Sequence, residues 1–271
     1  MKRIGWKLLI SFGLLLLIVA GCSPASDGGS ASESTVPDEE LVEAGKLTIA
    51  TTGNSGQQTF IGVDGELQGS DIDLCGAIAG ELGLEANWVI VEWAGLLPGL
   101  TTGNFDMGCS GVFRTDERLA SPDLELADPV LVNGQGLVVR TDEDRINDWD
   151  DIAGLTMGVV RGSSSAQAVL DNVTEDLEVV EFPGNTEGFL GLKNEVTDFF
   201  VTNYLISAAA TKDDADIKLV GDVMDLITVG PAVKPNAPTL LAEVNAAIAK
   251  FTEDGQLAEW NTKWFGDPLL P

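Results

Sequence analysis

A serine-rich turn follows one of the β-like segments and has the composition of an anion-binding site. The segment Thr156–Val160 runs into Arg161-Gly162-Ser163-Ser164-Ser165, and a helical pattern begins near Ala166. Serine hydroxyls, the free N–H groups of a helix N-terminus and the helix dipole all favour a negative charge at such a turn. The same serines can also cap the helix. The two roles are compatible because one serine can cap while another binds.

The composition excludes several other kinds of site. The chain of 271 residues contains no histidine, which rules out Ser-His-Asp and Cys-His catalytic systems. Its three cysteines lack the Cys-x-x-Cys spacing of zinc sites, so we expect neither a metal nor a cofactor. The formal charge of −28 repels phosphate backbones and anionic lipid headgroups. We therefore expect no nucleic-acid binding and no catalysis that depends on histidine.

The N-terminal segment has the pattern of an export signal. Lys2, Arg3 and Lys7 precede an apolar run over residues 8–20. The run is too short to span a bilayer comfortably, since that takes ~20 residues. It ends in Val19-Ala20-Gly21-Cys22, which resembles a bacterial lipobox, in which the cysteine receives a lipid such as palmitate.

We predict a signal peptide over residues 1–21 and a lipid anchor on Cys22. The following residues are rich in serine, glycine and acidic side chains, so we predict a flexible tether over residues 22–45 that holds the domain at the outer face of the cell membrane. The alternative is an ordinary signal peptide with an incidental cysteine.

The rest of the chain alternates β-like and helical segments, which predicts an α/β fold with mostly parallel sheets and crossover helices. The strands are predicted at residues 47–50, 88–91, 105–110, 137–139, 156–160 and 198–202. Helices are predicted at residues 71–82, 95–100 and 186–193, after the serine turn, and twice near the C-terminus.

Several segments, in order, resemble the polar amino-acid-binding proteins of bacterial ABC importers, the extracellular solute-binding proteins of family 3. The resemblance covers about residues 45–266. The matching segments are Gly65-Glu66-Leu67-Gln68-Gly69-Ser70-Asp71-Ile72-Asp73-Leu74, Trp93-Ala94-Gly95-Leu96-Leu97-Pro98-Gly99-Leu100, residues 106–118, Ala127-Asp128-Pro129, Gly158-Val159-Val160-Arg161-Gly162-Ser163-Ser164, Asp254-Gly255-Gln256 and Lys263-Trp264-Phe265-Gly266.

The resemblance implies the two-lobed type II periplasmic-binding-protein fold, with helices on both faces of the sheets and two hinge crossovers. Lobe 1 would comprise residues 46–134 and 230–268, and lobe 2 residues 135–229. The hinges would lie near residues 132–135 and 228–231. A monomer would close over a small ligand and deliver it to ABC permease subunits in the membrane.

The resemblance also implies the binding residues. Arg118 matches the family's carboxylate-binding arginine, and its guanidinium fork suits a carboxylate; the alternative is a surface arginine paired with a neighbouring acid. Ser110 and Gly111 match positions that line the cleft, and Ser163 and Ser164 match a Gly-Thr-Thr element. Trp93 matches an aromatic wall over the ligand, unless it is simply a core residue.

Five features depart from the family pattern. The loop Asn54-Ser55-Gly56-Gln57-Gln58 lacks a Tyr or Phe that is usual there, and Ser70 replaces a usual aromatic residue. Asn203 stands where an aspartate usually holds the ligand ammonium, and Phe113 stands where a serine or threonine usually contacts the ligand. Arg161 adds a second cation beside the serine turn and hints at an acidic or extended polar ligand; the alternative is that its side chain faces solvent. We therefore expect a carboxylate-bearing ligand, an amino acid or a derivative, whose ammonium group is absent or is bound by other groups.

Cys75 and Cys109 remain once Cys22 is lipidated. Export permits a disulfide. The predicted helix places Cys75 on its sheet-facing side, and Cys109 lies on a strand of that sheet, so the pair can be a disulfide or two buried thiols.

Two other functions fit the same fold. An exported dehydratase would need a carboxylate acid or base in the cleft, for which Glu92 and Asp71 are the nearby candidates. A ligand-sensing module would signal through a separate partner.

Overall fold

The computed structural model of the chain describes residues 34–267 and 269–271. Its strands are β1 Lys46–Thr51, β2 Phe60–Ile61, β3 Leu67–Gln68, β4 Glu85–Ile90, β5 Met107–Gly108, β6 Glu125–Leu126, β7 Leu131–Arg140, β8 Thr156–Val160, β9 Glu178–Phe182, β10 Phe199–Asn203, β11 Ile217–Val229 and β12 Ala232–Val233. Its α-helices are α1 Ser70–Glu81, α2 Trp93–Thr101, α3 Asp116–Leu119, α4 Ser165–Asn172, α5 Asn185–Lys193, α6 Tyr204–Asp213, α7 Pro238–Glu253 and α8 Gln256–Phe265. Short 3-10 helices span Asp38–Glu40 and Trp149–Asp151.

The first sheet has the strand order β4-β1-β5-β12-β6. Strand β1 pairs in parallel with β4 and β5, because α1 and α2 return the chain across the sheet between successive strands. Strand β12 pairs antiparallel with β5 and β6. The apolar faces of α1, α7 and α8 contribute Ile78, Val244 and Leu257 to the buried core on this sheet.

The second sheet has the strand order β11-β7-β10-β8-β9. Strand β8 pairs in parallel with β9 and β10, with α4 and α5 as the crossover helices. Strand β7 pairs antiparallel with β10 and β11. The sheet is covered on both faces, and Phe199 and Phe200, which point to opposite faces of β10, are fully buried.

The two sheets are connected by the longest pair of strands among the described residues. Strands β7 and β11 pair from Leu131 opposite Val229 to Arg140 opposite Ile217. At the end of this ladder Val229 also forms a bridge with Phe113, which follows β5 of the first sheet. The residue ranges predicted as hinges lie at this end of the two strands.

Residues 34–45 pack against the first sheet, so the prediction that the flexible tether extends to residue 45 is wrong for this part of it. Val36 and Leu41 are only 3% and 8% exposed. The Glu40 carboxylate accepts the backbone N–H of Leu240 at 2.8 Å, in the first turn of α7. Apolar burial and an acid at a helix N-terminus both favour the docked segment.

The remaining N-terminal predictions, namely the signal peptide, the lipidated Cys22 and the first part of the tether, lie outside the described residues. Within the described ranges, no helix combines the length and the apolar character needed to cross a membrane.

Cys75 and Cys109 form a disulfide, with their Cα atoms 6.7 Å apart. The bond joins α1 to the residue that follows β5, and both cysteines are buried in the core of the first sheet. It therefore anchors α1 beside the loop that continues into Ser110 and Gly111.

Candidate functional site

A cleft lies where strands of both sheets end. Residues that follow the carboxyl ends of β1, β5, β8, β9 and β10 converge there, as expected for a ligand site of parallel α/β sheets. Most of the lining side chains carry a hydroxyl or an amide. The lining residues are Thr52, Asn54, Ser55, Trp93, Ser110, Gly111, Phe113, Arg118, Val160, Ser163, Ser164, Ser165, Gly184, Asn185, Thr202, Asn203 and Ile206.

Arg118 is held in the cleft by contacts on three sides. It lies on the single-turn helix α3, where Thr115 caps the turn by accepting the Arg118 backbone N–H at 3.3 Å. One guanidinium nitrogen donates to the Phe113 carbonyl at 2.9 Å. The guanidinium carbon lies 5.6 Å from the centre of the Trp93 ring, within the range of a cation–π contact.

The charge of Arg118 has no counter-ion within the described residues. Arg118 forms no ion pair there, so the alternative of a surface arginine paired with its acidic neighbours is not observed. Burial lowers the pKa of the guanidinium to about 10, although nearby Glu117 acts in the opposite direction. The group remains a cation at neutral pH, and an anionic ligand would offset the cost of removing it from water.

Three hydroxyls form a cluster on the wall contributed by the first sheet. The Thr52 hydroxyl lies 2.8 Å from the Ser55 hydroxyl and 2.7 Å from that of Ser110, and the last two are 3.2 Å apart. Because each hydroxyl can donate or accept, the cluster can adjust to a polar ligand group.

Gly111 continues this wall in a conformation that requires glycine. Its φ is +67°, and a Cβ at this position would lie 2.6 Å from the side-chain amide nitrogen of Gln58. Its backbone N–H donates to the Asp71 carboxylate at 2.7 Å. Asp71 itself does not line the cleft but borders a smaller cavity on the other side of Gly111, beside the disulfide.

The second sheet contributes the serine turn. Ser163, Ser164 and Ser165 line the cleft at the N-terminus of α4. The Ser164 side chain does not cap the helix, and the Ser163 hydroxyl accepts only a long hydrogen bond of 3.4 Å from the Ser165 N–H. The backbone N–H groups of this first turn therefore retain the capacity to bind an anion.

Contacts that cross the cleft join the two sheets. The Trp93 indole N–H donates to the Gly162 carbonyl at 3.0 Å. Trp93 also packs against buried apolar clusters of both sheets. It therefore lines the cleft and contacts the core at the same time. The Asn203 side-chain N–H donates to the Gln58 side-chain oxygen at 2.6 Å.

Arg161 is the one predicted binding residue that the structure does not bring to the cleft. The predicted residues that do line it are Arg118, Ser110, Gly111, Ser163, Ser164, Trp93, Asn203 and Phe113. The Arg161 side chain is 55% exposed, and its Nε lies 3.7 Å from the Glu181 carboxylate on β9. Arg161 therefore does not line the cleft in this structure, and the observed position agrees with the alternative in which its side chain faces solvent.

Sequence reasoning missed several lining residues. Thr52, Asn54 and Ser55 follow β1, and Asn185 and Thr202 belong to the second-sheet wall. The polar loop after β1 was a usable signal, because residues that follow the ends of parallel strands face the site. Nothing in the local pattern distinguished Asn185 from the other polar residues near helix starts.

Within the described residues, no group of three or more histidine, cysteine, aspartate or glutamate side chains is arranged to hold a metal ion.

Comparison with known proteins identifies the family. The sequence model of the bacterial extracellular solute-binding proteins, family 3, matches residues 47–267. The chain belongs to this family. It is 28% identical to the L-cystine-binding protein TcyJ of Escherichia coli strain K12, over 87% of this chain and 90% of TcyJ. It is 26% identical to the probable amino-acid-binding protein YxeM of Bacillus subtilis strain 168, over 99% of this chain and 98% of YxeM.

Solved structures of proteins similar to this chain have the same fold. An ancestral arginine-binding protein bound to glutamine superimposes with a TM-score of 0.75 at 31% identity, covering 82% of this chain and 99% of that one. A mutant of ArgBP from T. maritima gives a TM-score of 0.76 at 28% identity, covering 82% of this chain and 96% of that one. The predicted two-lobed type II periplasmic-binding fold is therefore confirmed.

Proposed function

We propose that this family member is the substrate-binding subunit of an ABC importer and captures a small carboxylate-bearing solute, an amino acid or a derivative. The observation that carries the proposal is Arg118, a half-buried cation in the cleft with no ion-pair partner among the described residues. The names of relatives as cystine-binding and amino-acid-binding proteins support the same class of solute.

We propose that the two lobes close over the solute. Lobe 1 would comprise residues 46–134 and 230–268, and lobe 2 residues 135–229, with the hinges near residues 132–135 and 228–231. The hydrogen bond from Trp93 to Gly162 and the hydrogen bond from Asn203 to Gln58 span the proposed lobes and support a closed arrangement. A ligand that contacts both walls would stabilise it.

We further propose that the protein acts as a monomer at the outer face of the membrane, anchored through a lipid on Cys22, and delivers its solute to the permease subunits. Incorporation of labelled palmitate into the full chain in a bacterial host tests the anchor. We expect label in the wild type and none in Cys22→Ser. Equal labelling of both would refute the assignment of Cys22.

A dehydratase activity is supported less well than solute binding. One structural neighbour is described as an ancestral amino-acid-binding protein and a precursor of cyclohexadienyl dehydratase, with a TM-score of 0.74 and 29% identity. Such chemistry needs an acid or base in the cleft. The two candidates from the sequence, Glu92 and Asp71, are not among the residues that line it.

A thermal-shift screen of the full chain tests the binding function. The panel contains amino acids, opines, betaines and organic acids, with primary amines that lack a carboxylate as the negative set. A ligand at about 100 times its Kd adds ~2.7 kcal/mol of stability. We expect stabilisation by at least one carboxylate and by none of the amines.

Two arginine variants locate the site. Arg118→Ala should weaken binding of the hit by about 30-fold or more, since losing one partner of a buried charged pair typically costs ~2–5 kcal/mol. Arg161→Ala removes an equal charge from the exposed turn and should change the affinity less than twofold. Equal losses in both variants would contradict the proposed role of Arg118.

A further inference from the structure

The charge of the cleft is not that of a site for a zwitterion. Arg118 contributes a cation, and none of the described residues that line the cleft is an aspartate or a glutamate. A free amino acid carries one carboxylate and one ammonium group. Its carboxylate would find a partner in Arg118, but its ammonium would lie in the same cleft without a negative charge beside it.

Asn203 cannot serve as the acceptor for an ammonium, because its oxygen is already occupied. Asn203 Oδ1 accepts the backbone N–H of Leu205 at 3.0 Å and of Ile206 at 3.4 Å, which caps α6. The same oxygen also accepts the side-chain N–H of Asn133. The backbone donors fix the orientation of the amide, so its NH₂ group, which donates to Gln58, is the side available to other partners.

The side-chain oxygen of Asn185, which lies on the same wall of the cleft as Asn203, is also engaged in a hydrogen bond. Asn185 Oδ1 accepts the Thr202 hydroxyl at 2.8 Å. The hydroxyls of Thr52, Ser55 and Ser110 can accept hydrogen bonds, but they are neutral and bond to one another. They suit a ligand hydroxyl or carbonyl as well as they suit an amine.

Three carboxylates outside the lining do not correct the charge balance of the cleft. Asp71 binds the Gly111 N–H and borders the second cavity. Glu187 is exposed, and its carboxylate lies near Gly184 at the edge of the cleft. Glu117 is also exposed. Asp71 is already hydrogen-bonded, and the two glutamates are solvated. Glu187 is the rival partner for a ligand ammonium, because it lies at the edge of the cleft.

We infer that the ligand is a carboxylate without a protonated α-amino group, such as a 2-hydroxy acid or a 2-oxo acid. This inference rests on the proposed function and specifies its solute. A ligand of charge −1 neutralises Arg118, and its 2-hydroxyl or 2-oxo group can bond to the hydroxyl cluster or to the Asn203 NH₂ group. An added ammonium would be repelled by the guanidinium in the same partly desolvated space.

Isothermal titration of the full chain with matched triplets tests the inference. The triplets are leucine, 2-hydroxy-4-methylpentanoate and 4-methyl-2-oxopentanoate; phenylalanine, phenyllactate and phenylpyruvate; and glutamate, 2-hydroxyglutarate and 2-oxoglutarate. We expect the best-bound triplet to favour its hydroxy or oxo acid by at least tenfold over the amino acid. Equal or tighter binding of the amino acid overturns the inference and leaves the importer function standing. Failure of every carboxylate to bind overturns both.

Two variants identify the cause of the preference. Asn203→Asp keeps an oxygen for the Leu205 and Ile206 N–H groups, and Gln58, whose side-chain nitrogen has no hydrogen-bond partner among the described residues, can rotate to donate to the new carboxylate. We expect this variant to shift the affinity ratio at least tenfold toward the amino acid. Glu187→Gln should leave the ratio unchanged. A tenfold loss of amino-acid affinity in Glu187→Gln would show that the rim binds an ammonium and would overturn the inference.

Discussion

Replacing Asp71 with asparagine should stabilise the protein at neutral pH, and the gain should disappear in acid. Asp71 is 6% exposed, and desolvation by burial raises the pKa of its carboxyl from the ordinary value of 3.8 to about 6. Hydrogen bonds from the Gly111 N–H and from Ser70 oppose this rise without cancelling it. Asparagine keeps an oxygen that can accept the Gly111 N–H and carries no charge.

The magnitude follows from the two pKa values. Since the folded pKa lies above the unfolded one, the folded state binds more protons between them, and stability falls as the pH rises from about 4 to about 6. Ionising the buried carboxyl therefore costs ~3 kcal/mol above pH 6, at ~1.4 kcal/mol for each tenfold change in proton affinity. The uncharged variant avoids this cost, and below pH 4 the carboxyl is protonated in both states, so the two proteins should then be alike.

Urea unfolding followed by tryptophan fluorescence measures the effect, since the chain contains six tryptophans. The difference in unfolding free energy between Asp71→Asn and wild type should rise from near zero at pH 4 to ~3 kcal/mol at pH 7 and stay there. Asp123→Asn removes the same charge from an exposed position and serves as the control. A difference for Asp71→Asn that is constant across this pH range, or that declines as the pH rises, would refute the reasoning.

Two further predictions concern the disulfide and the contact across the cleft. The Cys75–Cys109 bond closes a loop with a sequence separation of 34, so its loss in the double alanine variant should cost ~4 kcal/mol and lower the Tm by roughly 8–16 °C in calorimetry. Reductant should destabilise the wild type but not the variant, and a Tm within 2 °C of wild type would contradict the prediction. Trp93→Phe keeps a ring beside Arg118 but loses the donor to Gly162, so ligand dissociation measured by stopped flow should be about fivefold faster. Trp260 is partly buried and packs on Phe251 in the first-sheet core, so Trp260→Phe should leave the dissociation rate unchanged. Equal acceleration in both variants would show that the cleft contact is not the cause.

The tertiary structure separates two arginines that sequence analysis placed near the binding site. Arg118 and Arg161 each lie near a predicted ligand-contacting element, and each has acidic residues nearby along the chain or in space. Arg118 is held in the cleft by the Phe113 carbonyl and the Trp93 ring, whereas Arg161 extends to solvent beside Glu181. The direction of a long side chain depends on its packing partners, which come from distant parts of the chain.

Long-range pairing also explains the elements that local pattern did not predict. Strand β11 contains Gly221, Asp222 and Asp225, which are unfavourable in strands, and it is formed because β7 supplies its hydrogen-bond partners. Likewise, the segment over residues 34–45 is polar in composition. Its two apolar side chains, Val36 and Leu41, become buried only because the first sheet offers a surface for them.

The sequence by itself determined the α/β class, the family, most of the elements and eight of the residues that line the cleft. The fold class and the elements follow from hydrophobic periodicity and turn chemistry, which are local along the chain. The family and the eight residues follow from the resemblance that the ordered motifs carry. Only the tertiary structure decided which cations and acceptors face the cleft. It places Arg118 without an acidic partner among the described residues and occupies the oxygen of Asn203 within the protein. Charge balance and hydrogen-bond saturation are properties of groups brought together by folding, so no single segment reveals them.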